Sequence, residues 1–184
     1  MRLLLFLTMA MMTGWAQPGI ASDAAWQALR NGGTVALLRH ARAPGTGDPA
    51  GFRLDDCSSQ RNLSPAGRKQ AQELGERFEA QGVRVERVLA SRWCRALDTA
   101  RLAFGDRVEP YPPLDSFFSQ QSRNDAQTRE VGKLVSDWKG PGVLALVTHQ
   151  VNITALTTIF PAEGEVLVLR PSAGGFEVVG RINP

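Results

Sequence analysis

The sequence of 184 residues contains only two histidines, His40 and His149, so any imidazole chemistry of this protein depends on this pair. His40 closely follows the apolar run 34–38, and His149 closely follows a second apolar run, 143–147. Imidazole exchanges protons near neutral pH and acts as a nucleophile when it is neutral. A histidine that merely packs in the core is the alternative for either residue alone. Two histidines that follow two similar runs favour a shared site.

Arginines surround both candidate positions. Arg39 and Arg42 flank the first histidine, and Arg92 and Arg95 follow a third short apolar run, 88–90. A guanidinium presents a planar fork of donors that matches phosphate oxygens, whereas an isolated arginine is usually a solvated surface charge. A nearby positive charge also disfavours a protonated imidazole. The combination therefore predicts an anion site that contains a neutral imidazole.

A neutral imidazole beside guanidiniums is suited to phosphoryl transfer. Attack on phosphorus gives a phosphohistidine that water then hydrolyses, while the guanidiniums and the second imidazole hold the equatorial oxygens. This scheme needs no metal. The two histidines and two cysteines are scattered along the chain without zinc-finger spacing, so the sequence predicts neither a metal nor another cofactor.

Helical and apolar segments alternate along the chain and predict an α/β fold. A mainly parallel central sheet covered by helices on both faces, a three-layer α/β/α arrangement, follows from this alternation. The predicted strands are 34–38, 88–90, 108–111 and 143–147, with a terminal hairpin of 165–170 and 176–182. The predicted helices run from 22 or 23 to 30, from 65 to the glycine at 82, and over 95–104, 125–139 and 151–160. Ligands of such sheets lie at the carboxyl ends of the strands, where both histidines are expected.

The helix at 65 has the clearest start and stop signals. Ser64 is a favoured N-cap residue, Pro65 suits the first helical position, and Gly82 is placed to end the helix. Its predicted buried face consists of Ala71, Leu74, Gly75 and Phe78.

The N-terminal segment has the pattern of a secretory signal peptide. Arg2 precedes an apolar run, 3–15, that is shorter than the roughly 20 residues that span a bilayer. Small residues allow cleavage after Ala16 or after Ala21, and the second is preferred. We expect a signal peptide over 1–21, one domain over 22–184, a periplasmic or secreted protein, and no stable membrane anchor after cleavage. An uncleaved anchor helix is the alternative.

Export bears on the two cysteines. An oxidising compartment permits one disulfide between Cys57 and Cys94, and two separate thiols are the alternative that the sequence leaves open. The net charge of +3 is too small and too scattered to favour a nucleic-acid partner. We expect a small-molecule partner instead.

Four segments of the chain carry patterns that occur together in one family. Leu38-Arg39-His40-Ala41 is similar to an Arg-His-Gly signature, and residues 62–71 are similar to L-[ST]-x-x-G-x-x-Q-A. Residues 90–100 are similar to S-x-x-x-R-A-x-x-T-A, and Val147-Thr148-His149 is similar to a strand end that carries a second histidine. In this order, over residues 34–170, they resemble the histidine phosphatase superfamily, branch 1, whose fold is phosphoglycerate mutase-like.

The resemblance implies a role for each residue. His40 is the implied nucleophile, and Arg39, Arg95 and His149 form the implied phosphate pocket, with Arg42 as a further contributor. Arg95 aligns with the family's Arg-Ala pair. Alanine replaces the glycine of the signature after His40, and alanine keeps the N–H donor but lacks glycine's conformational freedom.

The resemblance also implies a general acid. Branch 1 takes this carboxylate from a segment after a short strand, where Asp115 is the nearest candidate and lies one residue out of register. The second branch places an aspartate directly after the second histidine, but Gln150 stands there. Asp55 and Asp56 are reserve candidates, and a solvated loop pair is the alternative for both.

Together these observations predict an exported phosphomonoesterase of the histidine acid phosphatase type. The exported Arg-His-Ala form is similar to a periplasmic subgroup that includes lipopolysaccharide core heptose-phosphate phosphatases, which points to a cell-envelope phosphosugar as substrate. Two alternatives remain open: a non-catalytic binder of phosphorylated sugars or lipids on the same fold, and a phosphomutase.

Overall fold

The central sheet of the protein has six strands in the order β3-β2-β4-β1-β5-β6. The computed structural model describes residues 18–184. The strands are β1 (Val35–Arg39), β2 (Val85–Ala90), β3 (Val108–Pro110), β4 (Val143–Thr148), β5 (Val166–Ser172) and β6 (Gly175–Ile182). The helices are α1 (Pro18–Asn31), α2 (Pro65–Ala80), α3 (Cys94–Phe104), α4 (Asn124–Ser136) and α5 (Gln150–Thr157). Short 3-10 turns lie at Cys57–Ser59, Pro112–Leu114 and Gln121–Arg123.

Strands β3, β2, β4 and β1 are parallel, and the terminal hairpin of β5 and β6 extends the sheet in antiparallel pairing. Side chains alternate across the pleat, so Ala36 and Leu38 pack on one face while Val35 and Leu37 pack on the other. Helices α1, α2 and α3 cover the first face, and α4 and α5 cover the second. The predicted three-layer fold with a mainly parallel sheet is therefore confirmed.

Helix α2 begins and ends where its sequence signals place it. The Ser64 hydroxyl accepts a hydrogen bond from the main-chain N–H of Gly67, and Pro65 occupies the first turn. The helix ends at Ala80, shortly before Gly82, whose φ of 65° suits glycine. Its buried residues include the predicted set Ala71, Leu74, Gly75 and Phe78.

Several element boundaries differ from the sequence prediction. Helix α1 begins at Pro18 rather than at residue 22 or 23, and β2 begins at Val85 rather than at residue 88. Helix α5 ends at Thr157 instead of residue 160, because Thr158 turns into the left-handed region with a φ of 62°. A threonine in that conformation gives no stop signal that the sequence could have shown.

The predicted signal peptide, residues 1–21, falls almost wholly on the segment 1–17, which lies outside the described residues, so it stays a prediction. Over residues 18–184, none of the helices has both the length and the apolar character needed to cross a membrane.

Cys57 and Cys94 form a disulfide. The bond joins the 3-10 turn Cys57–Ser59 to the first residue of α3. Of the two alternatives that the sequence left open, the structure has the paired cysteines. The bond anchors the segment before α2 beside the start of α3, which is the helix that carries Arg95.

Gly67 lets α2 approach the chain just after β1. A Cβ atom at this position would lie 2.0 Å from the main-chain oxygen of Arg42, which no real contact tolerates. The same oxygen accepts a hydrogen bond from the main-chain N–H of Ser64. The absence of a side chain at Gly67 therefore holds the segment after His40 against the start of α2.

We expect Gly67→Ala to lower the free energy of unfolding by about 1–3 kcal/mol, because the added methyl group must push the backbone apart. Gly132→Ala, within α4, is the matched control, because a Cβ atom at this position would contact only the side chain of Leu156, at an ordinary distance of 3.6 Å. Alanine there should stabilise the protein by about 0.5–1 kcal/mol through helix propensity. Chemical denaturation of both variants measures the difference, and a neutral Gly67→Ala would contradict the close approach.

Candidate active site

The two histidines meet at one edge of the sheet because β1 and β4 are parallel neighbours. Arg39 pairs with Thr148 in the register, and the main-chain N–H of His40 donates to the oxygen of Thr148 over 2.9 Å. Both imidazoles are buried, with 2% of His40 and 3% of His149 exposed, and their ring centroids are 5.4 Å apart. The structure thus brings the only two histidines of the chain together.

The hydrogen bonding of His40 leaves one ring nitrogen with a free lone pair. Nδ1 lies 2.8 Å from the main-chain oxygen of Ala41, and a carbonyl only accepts, so Nδ1 carries the hydrogen. Burial lowers the pKa of His40 to about 3, with a further lowering by Arg95 and an opposing contribution from the Ala41 hydrogen bond. The ring is therefore neutral at ordinary pH, with its lone pair on Nε2.

His149 is held by polar partners on both ring nitrogens. The Ser91 hydroxyl, which donates to Asp115 over 3.4 Å, lies 2.8 Å from Nε2 of His149. Nδ1 of His149 lies 3.5 Å from Nη2 of Arg95. Burial is the largest cause that lowers the pKa of His149 well below 6.5, and Arg95 is the second. Arginine charge, the cause argued from the sequence, is thus real but smaller than burial.

Arg95 is a buried cation whose two terminal nitrogens have partners and whose Nε has none among the described residues. Its Nη1 donates to Asp48 over 2.7 Å and to the main-chain oxygen of Arg61 over 3.2 Å, and its Nη2 donates to Asp48 over 3.1 Å. Its buried Nε has no hydrogen-bond partner among the described residues. Nη2 already contacts Nδ1 of His149 over 3.5 Å, so the Nε–H is the donor of Arg95 that stays available for an anion, although Arg95 itself does not line the cavity.

Asp48 is a central residue of the site that the sequence analysis missed. Besides Arg95, its carboxylate accepts from the indole Nε1 of Trp93 over 3.0 Å and from the main-chain N–H of Arg61 over 3.1 Å. Burial acts to raise the pKa of Asp48, but the hydrogen bonds and charge of Arg95 outweigh it, and the net pKa is lowered. Asp48 is therefore an anion that neutralises Arg95. Its segment carried only turn signals, and its partners are distant in sequence.

Arg39 and Arg61 both line the cavity beside the histidines. Arg39 donates from Nη1 to the main-chain oxygen of Pro161 over 2.9 Å, and its buried Nε has no partner among the described residues. Arg61 donates from Nε to the oxygen of Gly47 over 2.8 Å and from Nη1 to the oxygen of Ala43. Arg61 was also missed, although its place directly before the helix-start motif was an available signal.

The structure does not bring Arg42 or Asp115 into the cavity. Arg42 is exposed, and its main chain, rather than its guanidinium, makes the contacts with α2. Asp115 is completely buried and accepts from the main-chain N–H of Arg92 over 2.9 Å and from its Nε over 2.8 Å. Asp115 thus lies behind Ser91, and its role as general acid stays a prediction. Neither reserve acid lines the cavity: Asp55 pairs with Arg53 at the surface, and Asp56 accepts a hydrogen bond from the main-chain N–H of Ser58.

The cavity in front of the histidines has a volume of about 560 Å³. Arg39, His40, Arg61 and His149 line one end of it, and four aromatic side chains, Phe52, Trp93, Phe118 and Phe160, also line it. Main-chain N–H groups at the start of α5 add partial positive charge beside His149, which is the N-cap of that helix. This end is therefore built to hold a compact anion against Nε2 of His40.

Part of the chain matches a known protein family. Residues 35–117 match the model of the histidine phosphatase superfamily (branch 1). The matched segment contains His40, Arg95 and Asp115, whereas His149 lies beyond it. Among curated protein sequences, none matches this chain.

Solved structures share the fold at low sequence identity. The protein histidine phosphatase SixA complexed with tungstate is 18% identical over 82% of this chain and 97% of its own, with a TM-score of 0.56. Phosphoserine phosphatase from Entamoeba histolytica, in complex with 3-phosphoglyceric acid, is 13% identical over 82% and 97%, with a TM-score of 0.59. A mycobacterial glucosyl-3-phosphoglycerate phosphatase is 19% identical over 81% and 95%, with a TM-score of 0.57. The predicted phosphoglycerate mutase-like fold is confirmed.

Asp48→Asn tests whether Arg95 belongs to the anion site. Removal of the carboxylate charge leaves a buried cation under-paired, so we expect a loss of about 1–3 kcal/mol in the free energy of unfolding. Inorganic phosphate should then raise the melting temperature of Asp48→Asn more than that of the wild type, because it replaces the lost charge. Asp55→Asn, at a 72% exposed surface pair, is the control and should change neither quantity. An equal response of all three proteins to phosphate would remove Arg95 from the site.

Stability should fall as the pH falls below about 6.5, the pKa of an unfolded histidine. In the folded protein the pKa values of His40 and His149 are lowered, to about 3 for His40, so only the unfolded chain takes up protons in this range. The contribution is complete above pH 6.5 and is lost progressively below it, at up to about 1.4 kcal/mol per pH unit for each histidine. Urea unfolding at pH 5.0–6.5 measures how steeply the free energy of unfolding falls with pH. His40→Asn should remove about half of the histidine contribution to this slope. An unchanged slope in that variant would show that His40 is not buried as a neutral ring.

Proposed function

We propose, on the premise that this chain belongs to branch 1 of the histidine phosphatase superfamily, that it hydrolyses phosphomonoesters through a phosphohistidine on His40. The observation that carries the proposal is the state of His40. Its Nδ1 hydrogen is committed to the oxygen of Ala41, its pKa is lowered to about 3, and its ring lines the cavity. Nε2 is therefore an unprotonated nucleophile at ordinary pH.

The first step joins His40 to the phosphoryl group. Nε2 attacks phosphorus, the bond between phosphorus and the ester oxygen breaks, and the leaving alcohol keeps the electron pair and takes up a proton from water. The ring becomes positive in this step, and the Nδ1–H bond to Ala41 stabilises that charge. The free Nε groups of Arg39 and Arg95 offer donors to the phosphoryl oxygens, whose charge they offset.

The second step frees the enzyme. Water attacks the phosphohistidine, the bond from Nε2 to phosphorus breaks, and inorganic phosphate leaves with the hydroxyl group that water supplied. Asp115 contacts the site through Ser91 and His149, so in this proposal it orients His149, and its predicted role as general acid requires a proton to pass along that chain. A leaving group of low basicity needs little help from an acid.

The proposed compartment and substrate rest on further observations. A phosphatase of the histidine acid phosphatase type that is exported to the periplasm or secreted suits both the predicted signal peptide and the disulfide, since disulfides persist in oxidising compartments. The Arg-His-Ala form supports a cell-envelope phosphosugar, such as a heptose phosphate of the lipopolysaccharide core, as the substrate. The solved neighbours include a phosphatase that acts on glucosyl-3-phosphoglycerate, which is a property of that protein.

Rapid quenching during turnover of a ³²P-labelled phosphomonoester tests the proposal. We expect an acid-labile, base-stable label on His40 in the wild-type protein. His40→Ala should abolish the label and reduce kcat/KM by about a thousandfold or more, because the nucleophile is lost. Lys69→Ala, at an exposed ion pair on α2, is the control and should keep both.

Three outcomes would contradict the proposal. Turnover in the wild type with no covalent label would exclude a phosphohistidine. Binding of phosphate or vanadate without turnover of any ester would favour a non-catalytic binder, whereas transfer of the label to a second hydroxyl of the substrate would favour a phosphomutase.

A further inference from the structure

Two phenylalanine rings stand exposed at the cavity. Phe118 is 53% exposed and Phe160 is 68% exposed, although the neighbouring Phe117 is buried in the core at 2%. The two residues come from different parts of the chain, after β3 and after α5, yet both line the same cavity. Among residues 23–184 the one other exposed large apolar side chain is Val178, which is 37% exposed and lies on β6 outside the cavity. Exposed aromatic rings that converge on a concave site mark a binding surface.

Phe52, Trp93 and Val151 add further apolar lining to the cavity. Trp93 packs against Phe52 with ring centroids 5.6 Å apart and against His149 with ring centroids 5.4 Å apart, so the apolar lining reaches the imidazoles. The cavity volume of about 560 Å³ lies within the range of roughly 300–1,000 Å³ that is typical for small organic ligands. A phosphoryl group alone would leave most of this space empty. The remaining volume therefore belongs to the leaving group.

The charges in the cavity limit what this leaving group is. The cations that line it, Arg39 and Arg61, lie close enough to lower the pKa of His40, so they belong to the phosphoryl end. The carboxylate that lines it, Asp48, is neutralised by Arg95. The other polar side chains of the lining, Thr46, Ser116, Ser119 and Gln150, are uncharged. A second phosphate or a carboxylate on the substrate would find no further cation in the lining.

We propose that the aromatic lining of the cavity, Phe118 and Phe160 together with Phe52 and Trp93, is a subsite for a neutral leaving alcohol that carries a ring with an apolar face. Such a ring, glycosyl or aryl, covers the exposed phenylalanines and removes their apolar area from water. The uncharged hydroxyls and the amide of the lining then pair with hydroxyl groups of a sugar. This inference rests on the proposed function, since it assigns the part of the substrate that remains after phosphoryl transfer.

Four phosphomonoesters separate the effects of a ring, of hydroxyl groups and of a carboxylate in the leaving group. Benzyl phosphate and ethyl phosphate differ in the ring while their leaving alcohols have similar basicity, glucose 6-phosphate adds hydroxyl groups, and 3-phosphoglycerate adds a carboxylate. We expect kcat/KM for benzyl phosphate or glucose 6-phosphate to exceed that for ethyl phosphate by about tenfold, mainly through KM, and 3-phosphoglycerate to be the poorest. The better of the two ring substrates distinguishes an aryl from a glycosyl leaving group.

Variants of Phe118 and Phe160 test whether these two rings cause the preference for ring substrates. Phe118→Ala and Phe160→Ala should each reduce the ratio of ring substrate to ethyl phosphate by about threefold to fivefold, because part of the apolar contact is lost. Val178→Ala, an exposed apolar residue outside the cavity, is the matched control and should leave the ratio unchanged. Equal kcat/KM for all four esters, a preference for 3-phosphoglycerate or for a phosphorylated protein, or a ratio that neither variant changes would overturn the subsite.

Calorimetric binding of the same four compounds to His40→Asn provides a measurement that needs no turnover. The order of affinities should match the order of kcat/KM. If no ester is hydrolysed but the ring compounds bind about tenfold more tightly than ethyl phosphate, the phosphatase proposal fails and the subsite stands. If hydrolysis through His40 proceeds but all four compounds bind equally, the subsite alone fails.

Discussion

The parallel pairing of β1 with β4 is the constraint on which the site depends. These strands share the middle of the sheet, and their register sets Arg39 opposite Thr148, so the residues that follow emerge side by side. The hydrogen bond from the N–H of His40 to the oxygen of Thr148 continues the pairing past the strand end. Because both strands are buried by helices on two faces, the positions of His40 and His149 are fixed by the core rather than by mobile loops.

Burial at the carboxyl ends of β1 and β4 has opposite consequences for the histidine and arginine side chains. It disfavours the charged form of His40, whose pKa falls to about 3, and so leaves a nucleophilic lone pair. The same burial makes the permanent charge of Arg95 costly, and Asp48 offsets that cost through a two-donor contact. The site therefore combines a neutral ring with a compensated cation, whose Nε has no partner among the described residues.

The segment between β1 and α2 completes the site and is fixed by contacts made far along the chain. The disulfide from Cys57 to Cys94 attaches it to α3, while Gln60 accepts a hydrogen bond from the N–H of Cys94. The guanidinium of Arg61, near the end of this segment, donates to the main-chain oxygens of Ala43 and Gly47 near its beginning. These links place Asp48 and Arg61 beside the start of α3. Asp48, Arg61 and the neighbouring Trp93 all line the cavity.

The sequence by itself determined the layered fold, the cap of α2 and the meeting of the two histidines. Apolar periodicity, Ser64 as N-cap and the place of each histidine after a buried strand are local signals. Only the tertiary structure decided the partners of the charges: Asp48 on Arg95, Arg92 on Asp115, and a main-chain role for Arg42. The pairing of Asp48 with Arg95 spans 47 positions and depends on how loops pack, which no local pattern encodes.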